Sequence, residues 1–244
     1  MSLQNISQYL LDILIKLLNT PSPTGFTDQA VSLIEEIFSV FPDLSMKRTN
    51  KGALVIKWEG ASDPSSGMGK SLPPRAMSAH VDTLGGMVKE IKANGRLQLT
   101  NLGGLVFNAV EAEGCWVFTQ SGKKIRGSFL INKASSHVYG AETQKQKRDD
   151  KTMEVRLDAH TKSEEETRAL GIDVGDFVAF DPRVEITNGF IRSRFLDDKA
   201  AIASLYAAVK AMTESGLKPA RTTYFLISNF EEVGHGAPAG IPEE

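Results

Sequence analysis

The chain has 244 residues, of which 41% are hydrophobic and 24% charged, as in a soluble globular protein of one large or two modest domains. Its formal net charge of −2 lacks the basic excess with which proteins bind nucleic acids or anionic membranes. The single cysteine, Cys115, excludes an internal disulfide and favours a reducing compartment. With no apolar run long enough to cross a bilayer, the sequence predicts a soluble, cytoplasmic protein.

Two helices and a hairpin are predicted in the first quarter of the chain. Apolar residues at helical spacing predict one helix over 5–19 and a second over 27–40. Two strands are predicted over 46–48 and 53–58, joined by a tight turn. The segment 61–74 is rich in Gly, Ser and Pro and is predicted to be a loop.

The next strand runs directly into His80-Val81-Asp82. Because alternate residues of an extended segment share a face, the imidazole and the carboxylate are expected on the same side. A carboxylate beside an imidazole can fix the tautomer of the ring, which is the usual arrangement behind a metal-bound histidine. A buried histidine that is merely satisfied by a neighbouring aspartate is an equally common outcome for one such pair.

The middle third of the chain has a different pattern, with short alternating segments separated by turn signals. This pattern predicts a small barrel or sandwich. Cys115 is predicted to be a small core residue in one of its strands, since no basic neighbour in the sequence would make its thiol acidic. The strands are predicted over 87–91, 96–99, 115–118, 124–131, 153–157 and 177–180.

The alternation of strands and helices resumes near residue 191 and leads to Asp197-Asp198 ahead of a helix over 200–212. A helix cap, which contributes about 1 kcal/mol, is a sufficient explanation for Asp198. Capping needs no second aspartate, so Asp197 is the better candidate for a ligand that projects from the end of a strand.

A buried strand predicted over 221–228 leads into the adjacent acids Glu231 and Glu232. Ligands bind at the carboxyl ends of strands in open α/β sheets, and adjacent carboxylates repel unless a cation or a shared proton offsets them. A solvated pair of glutamates is the ordinary alternative. Together with His80 and Asp197, however, these acids suit a divalent ion, with Zn²⁺ first and Co²⁺ or Mn²⁺ behind it.

Three motifs occur in a fixed order: Ala-His-Val-Asp-x-x-Gly-x-Met-Val, Phe-Leu-Asp-Asp-Lys-Ala and Glu-Glu-Val-Gly-x-Gly-Ala. They resemble the metallo-aminopeptidase family that includes glutamyl aminopeptidase and the tetrahedral TET peptidases. The resemblance implies an α/β fold with a zinc-peptidase-like mixed sheet flanked by helices and interrupted by a small β-barrel-like insertion domain. It assigns 1–86 and 192–244 to the catalytic domain and 87–191 to a β-rich oligomerisation domain.

The resemblance also implies a dinuclear metal site that hydrolyses the N-terminal residue from peptides. In that site His80 would bind one metal ion, Glu232 the other, and Asp197 both. Glu231 would be the general base, and Asp82 would orient His80. The expected cofactors are two divalent ions per subunit, Zn²⁺ or else Co²⁺ or Mn²⁺. Peptides are the expected substrates, and a dodecamer formed through the β-rich domain is the expected assembly.

The sequence departs from the family pattern in two places. Thr83 stands where the family has Glu, which we interpret as a change beside the site that removes no ligand. The family takes two further ligands, an Asp and a His, from beyond the Glu-Glu motif, and this sequence ends at Glu244. We interpret this as C-terminal truncation of a longer protein, whose remaining strands and last helices are absent.

Two alternatives to a peptidase follow from the same residues. A non-catalytic oligomeric scaffold of the same fold would carry an incomplete metal site, although all three motifs keep their acids. A glycoside hydrolase with paired carboxylates would need sugar-stacking aromatics, and aromatic residues make up only 7% of the chain. Dependence on metal would separate the glycoside hydrolase from the peptidase.

Overall fold

The structure is a computed structural model that describes residues 3–61 and 73–236, with side chains from residue 6 onward. The loop predicted over 61–74 lies mostly outside the described residues. None of the helices in the described part of the chain is long and apolar enough to cross a membrane.

The chain forms two compact units. The first unit consists of residues 1–83 and 182–244, and the second, here called the barrel unit, consists of residues 84–181. Residues 182–191, which the sequence analysis assigned to the β-rich domain, therefore belong to the first unit.

The helices and strands follow each other in the order expected for a sheet with an inserted barrel. The helices are α1 (Leu3–Leu18), α2 (Asp28–Phe38), α3 (Ser136–Tyr139), α4 (Glu142–Lys145), α5 (Glu164–Ala169) and α6 (Leu196–Glu214). The strands are β1 (Leu44–Arg48), β2 (Leu54–Trp58), β3 (Arg75–His80), β4 (Gly85–Ile91), β5 (Leu97–Leu102), β6 (Glu113–Phe118), β7 (Lys124–Ile131), β8 (Met153–Leu157), β9 (Phe177–Phe180), β10 (Glu185–Thr187), β11 (Phe190–Arg192) and β12 (Thr223–Ser228). Short 3-10 turns cover Phe107–Val110 and Glu231–Val233.

The first unit contains a four-stranded mixed sheet in the order β1-β2-β12-β3. Strand β12 is antiparallel to β2 and parallel to β3, with Ser228 opposite His80. Parallel pairing brings the carboxyl ends of β3 and β12 to the same edge of the sheet. The motifs that follow these two strands therefore meet there.

Helices α1, α2 and α6 share one hydrophobic core with this sheet. The apolar face predicted for α1 is confirmed, since Leu14, Leu17 and Leu18 are buried. Phe38 of α2 makes an edge contact with Tyr206 of α6, with their ring centroids 5.6 Å apart. These contacts confirm that helices flank the sheet.

The barrel unit is a closed barrel of six strands in the order β4-β5-β8-β7-β6-β9. Phe129 is fully buried in its interior and packs edge-on against Phe107 and Phe180, at centroid distances of 5.2 and 5.4 Å. Cys115 is buried there as predicted. The predicted fold class, a mixed α/β sheet interrupted by a β-barrel-like insertion, is confirmed.

Candidate functional site

His80 is the last residue of β3, and only 6% of it is exposed. Its Nδ1 lies 3.0 Å from the backbone oxygen of Asp82. Because a carbonyl oxygen can only accept, Nδ1 carries a proton and donates it. The other ring nitrogen, Nε2, faces two carboxylates, with Asp197 Oδ1 at 3.0 Å and Glu231 Oε2 at 3.6 Å. His80 is therefore the centre of the candidate site.

The carboxylates around His80 favour a positive charge at its imidazole ring. Burial acts against the charged imidazolium, but hydrogen bonds to Asp82 and Asp197 outweigh it and raise the pKa of His80 to about 9. A proton on Nε2 would supply this positive charge, and a cation bound by the neutral imidazole would supply it equally.

Asp82 holds both sides of the site together. Its side chain is fully buried, and its carboxylate accepts hydrogen bonds from Thr24 Oγ1 at 2.7 Å and from the amides of Glu231 and Glu232 at 3.2 Å. Burial alone would raise the pKa of Asp82, but its hydrogen bonds, first with His80 and then with Thr24, hold that pKa below its ordinary value.

Asp82 was predicted to orient His80, and in the structure it also accepts hydrogen bonds from the turn that carries Glu231 and Glu232. Its carboxylate Oδ1 is 3.5 Å from His80 Nδ1, whereas its backbone oxygen makes the closer contact with that nitrogen. The amides of Glu231 and Glu232 are partners that the sequence analysis did not identify. Thr24 was also missed, although it lies in the Pro-rich turn that ends the first predicted helix.

The expectation that Asp197 projects from a strand end is wrong. Strand β11 ends at Arg192, and Asp197 lies at the start of α6, where the backbone of Asp197 and Asp198 is not helical and a cis peptide bond joins the two residues. Its side chain is 90% exposed, and it reaches the site through its contact with His80. The motif was recognised correctly, but the element that carries it was not.

Asp198 and Lys199 face away from solvent. Burial raises the pKa of Asp198, while hydrogen bonds from the backbone of His80 and Ala201 act in the opposite direction. The bond with Ala201, three residues later, is the capping contact that the sequence predicted. Lys199 is 1% exposed, and its Nζ donates to the carbonyl oxygens of Leu17 and Thr20 at 2.9 and 2.8 Å.

Lys199 is a positioning residue that the sequence analysis did not identify. Complete burial lowers the pKa of its amine to about 7. Leu17 lies in the last turn of α1, where carbonyl oxygens lack the amide partners of the helix interior, and Thr20 lies two residues beyond the end of the helix. The Leu17 carbonyl also accepts the backbone amide of Thr20 at 3.1 Å. Lys199 therefore ties the Asp197-Asp198 segment to α1.

Glu231 and Glu232 lie in a 3-10 turn directly after β12. The side chain of Glu231 is 51% exposed, with one oxygen near His80. Burial raises the pKa of Glu232, and the neighbouring carboxylates of Asp82, Asp197 and Glu231 add to this shift, against the lowering effect of His80. Among the described residues, the carboxylate of Glu232 forms no ion pair, so it lies at the border of the cluster.

The donor types at this site fit a borderline divalent cation, because an imidazole nitrogen and carboxylate oxygens are ligands that such ions accept. The spacing is a separate matter. Among the residues described, no group of three or more His, Cys, Asp or Glu side chains is arranged to hold a metal ion. In the structure His80 and Asp197 instead form a direct hydrogen bond.

Comparisons with known proteins identify the family of the chain. Residues 65–244 match the family model of the M42 glutamyl aminopeptidases. YhfE of Bacillus subtilis strain 168, described provisionally as an aminopeptidase, is 42% identical over 235 residues, which cover 96% of this chain and 65% of YhfE.

Solved structures share the fold. Aminopeptidase APDkam598 from the archaeon Desulfurococcus kamchatkensis superposes with a TM-score of 0.77 at 24% identity, over 94% of this chain and 58% of that one. The TET1 peptidase of Pyrococcus horikoshii, described as assembling into a tetrahedron or a large octahedral shell, gives a TM-score of 0.73 at 22% identity, over 92% of this chain and 62% of that one. The chain spans less than two thirds of the length of these relatives.

Proposed function

The chain belongs to the M42 family of glutamyl aminopeptidases. From this premise we propose that the protein is a metal-dependent aminopeptidase, which removes the N-terminal residue from peptides. The observation that carries the proposal is the convergence of His80, Asp197 and Glu231 at the shared carboxyl edge of β3 and β12. The three residues come from three separate motifs, yet the carboxylates of Asp197 and Glu231 both lie within 3.6 Å of Nε2 of His80.

The proposed cofactors are two divalent ions per subunit, with Zn²⁺ favoured and Co²⁺ or Mn²⁺ as alternatives. His80 and Glu232 would hold one ion each, and Asp197 would hold both. When bound, such ions act as Lewis acids that polarise the scissile carbonyl and make water a better nucleophile.

Glu231 is the proposed general base. Its half-exposed carboxylate can accept a proton from the attacking water and return it to the leaving amine. Its backbone is held by the hydrogen bond from its amide to Asp82, which leaves the side chain to face the substrate. Asp82 in turn is fixed by Thr24, so the position of the base is set by buried contacts.

Self-association is part of the proposal. The Pyrococcus horikoshii relative is described as forming a tetrahedron or an octahedral shell. We expect this protein to associate as well, through its barrel unit and as far as a dodecamer. A free, buried Cys115 supports a cytoplasmic location.

The non-catalytic scaffold is not favoured as an alternative, because every acid of the three motifs is present and His80 has the carboxylate neighbours that a catalytic centre needs. A glycoside hydrolase would require two acids across a sugar-binding cleft. The chain instead places its acids around an imidazole.

The deciding experiment compares Glu231→Gln with the unchanged protein in the full reading frame that contains this chain. Hydrolysis of a panel of aminoacyl-nitroanilides is measured together with metal content, with and without chelator. Loss of a general base should lower kcat by about 10²- to 10⁴-fold while metal content stays the same. Chelation should abolish hydrolysis in both proteins.

Glu36→Gln is the matched control, since Glu36 lies exposed on α2 in the same unit. It should leave kcat within twofold of the parent, roughly the scatter expected for surface changes. Activity that survives Glu231→Gln would contradict the assignment of Glu231 as the general base. Activity that survives chelation would contradict the dependence on metal. A protein that binds no metal and stays inert with added Zn²⁺ or Co²⁺ would establish the scaffold alternative.

A further inference from the structure

The barrel unit contains a pocket of about 380 Å³ that plays no part in the proposed hydrolysis. One wall is the turn between β4 and β5, and the other is the end of β8 with the loop that leads to α5. This volume lies near the lower end of the range for small-molecule sites. The lining residues are Asn94, Gly95, Arg96, Arg156, Leu157, Ala159, His160, Thr161 and Lys162.

The lining of this pocket is one-sided in charge. It includes three permanently basic residues and one histidine, and it includes no acid. Arg156 and Lys162 are exposed, and neither forms an ion pair with any described residue. Asp158 lies between two lining residues, but it does not line the pocket itself.

The carboxylates near this pocket already have other partners. Glu154 is almost fully buried and is shared between Lys92, whose Nζ is 3.0 Å away, and Arg96. Glu166 accepts a hydrogen bond from the backbone amide of Lys162. Neither of these carboxylates forms an ion pair with Arg156 or Lys162.

Hydrogen bonds hold the two walls together. The hydroxyl of Thr167 in α5 donates to the carbonyl oxygen of Gly95 at 2.8 Å. Gly95 has a φ of +79°, and a Cβ there would lie 2.9 Å from that hydroxyl, so only glycine permits this approach. Within the turn between β4 and β5, the amide of Arg96 donates to the side chain of Asn94 at 3.1 Å. These bonds fix the backbone of the turn, while the side chains of Arg156 and Lys162 are exposed.

We propose that this pocket binds a small tetrahedral oxyanion, either free phosphate or the phosphate group of a monoester. Guanidinium groups match phosphate oxygens through paired N–H donors, and a lysine ammonium adds a point charge. Arg156 and Lys162 supply cationic groups from one wall. On the other wall Arg96 shares the single carboxylate of Glu154 with Lys92, so two cations there face one acid and donors remain on both sides of a ligand. A planar carboxylate would use fewer of them.

The test is isothermal titration calorimetry with inorganic phosphate at low ionic strength. Wild-type chain is compared with the double variant Arg156→Gln/Lys162→Gln. The control, Lys145→Gln/Lys147→Gln, removes the same charge from exposed positions of the same unit outside the pocket. We expect the dissociation constant to rise by roughly tenfold or more in the pocket variant and by less than about twofold in the control.

Two further titrations define the ligand. Glycerol 3-phosphate should bind with an affinity similar to that of phosphate if monoesters enter, and phosphate binding alone would identify the free ion as the ligand. Succinate should bind more weakly than either. The proposal is overturned if phosphate shows no saturable binding, if the two double variants weaken binding equally, or if succinate binds as well as phosphate.

Discussion

Replacing Lys199 with methionine should destabilise the first unit by about 1 kcal/mol. Lys199 is almost completely buried, and its Nζ donates to the carbonyl oxygens of Leu17 and Thr20. Methionine has a similar shape and fills the same space without a donor. The substitution therefore isolates the two hydrogen bonds at the end of α1.

The magnitude follows from two opposing effects. A hydrogen bond from a charged donor contributes about 1.5–3 kcal/mol, but burial of an ammonium group costs several kcal/mol that methionine avoids. After the substitution the carbonyl oxygen of Leu17, a fully buried residue, still accepts a hydrogen bond from the backbone amide of Thr20 at 3.1 Å and loses only the bond from the amine. The cost therefore lies at the lower end of the roughly 1–3 kcal/mol that a completely unpaired buried acceptor would cost. Thr20 is only partly buried, so water can replace the amine there.

The assay is urea unfolding followed by tryptophan fluorescence. The chain has two tryptophans: Trp58, buried in the first unit, and Trp116, in the barrel unit. In a Trp116→Phe background the signal reports the first unit alone. Ser204→Ala is the control on the same helix, because Ser204 is exposed and bonds only to the preceding turn; it should change stability by less than about 0.5 kcal/mol. If the methionine variant matches or exceeds the parent in stability, the two carbonyl bonds do not outweigh the burial of the charge, and the reasoning fails.

Two further predictions concern groups outside the candidate site. Burial raises the pKa of the Cys115 thiol to about 12, so Ellman's reagent should leave the native chain unmodified and titrate about one thiol per chain in denaturant; rapid reaction of the native chain would contradict this. The paired hydrogen bonds from Arg48 lower the pKa of Glu35 below its ordinary value of 4.5, so this pair stabilises the fold above about pH 4.5 and its contribution is lost as the pH falls through the folded pKa. Glu35→Gln should therefore reduce unfolding free energy by up to about 1 kcal/mol at pH 7 and by progressively less as the pH falls below 4.5, and a loss that does not change with pH would count against the pairing.

The barrel shows which parts of this fold a sequence reveals. The bounds predicted for β7, β8 and β9 agree with the structure at both ends. Apolar and polar residues alternate in the sequence of β8, β9 is a short apolar run, and turn residues bound the strands, so the information is local. Closure of the barrel and the order of its strands could not be predicted from the sequence, because they depend on which strands pair and in what register.

The candidate site depends on contacts that are remote in sequence. The three motifs could be recognised one at a time, but their convergence rests on the parallel register of β12 with β3. The bonds from the amides of Glu231 and Glu232 to Asp82 cross about 150 residues of chain. Backbone amides carry no signature in the sequence, so this function of Asp82 could not be anticipated.

Lys199 is a different case, because a signal was present. It shares its helix face with Ile202 and Ala203, which are both fully buried, at the spacing of three and four residues that places side chains side by side. A lysine on an apolar face is ordinarily taken to extend its amine into solvent. Here the carbonyls of Leu17 and Thr20 supply partners within the core, so the amine stays inside.

The position of Asp82 links the two halves of the site. One carboxylate fixes the turn that carries Glu231 and also approaches the ring of His80, while the adjacent backbone oxygen holds that ring by Nδ1. A shift of β3 along β12 would break these contacts together, since Asp82 moves with β3 and the amide of Glu231 moves with β12. The positions of His80 and Glu231 are therefore set by the register of two parallel strands. Asp197 lies outside these strands, and its segment is held instead by the hydrogen bonds from Lys199 to the carbonyls of Leu17 and Thr20.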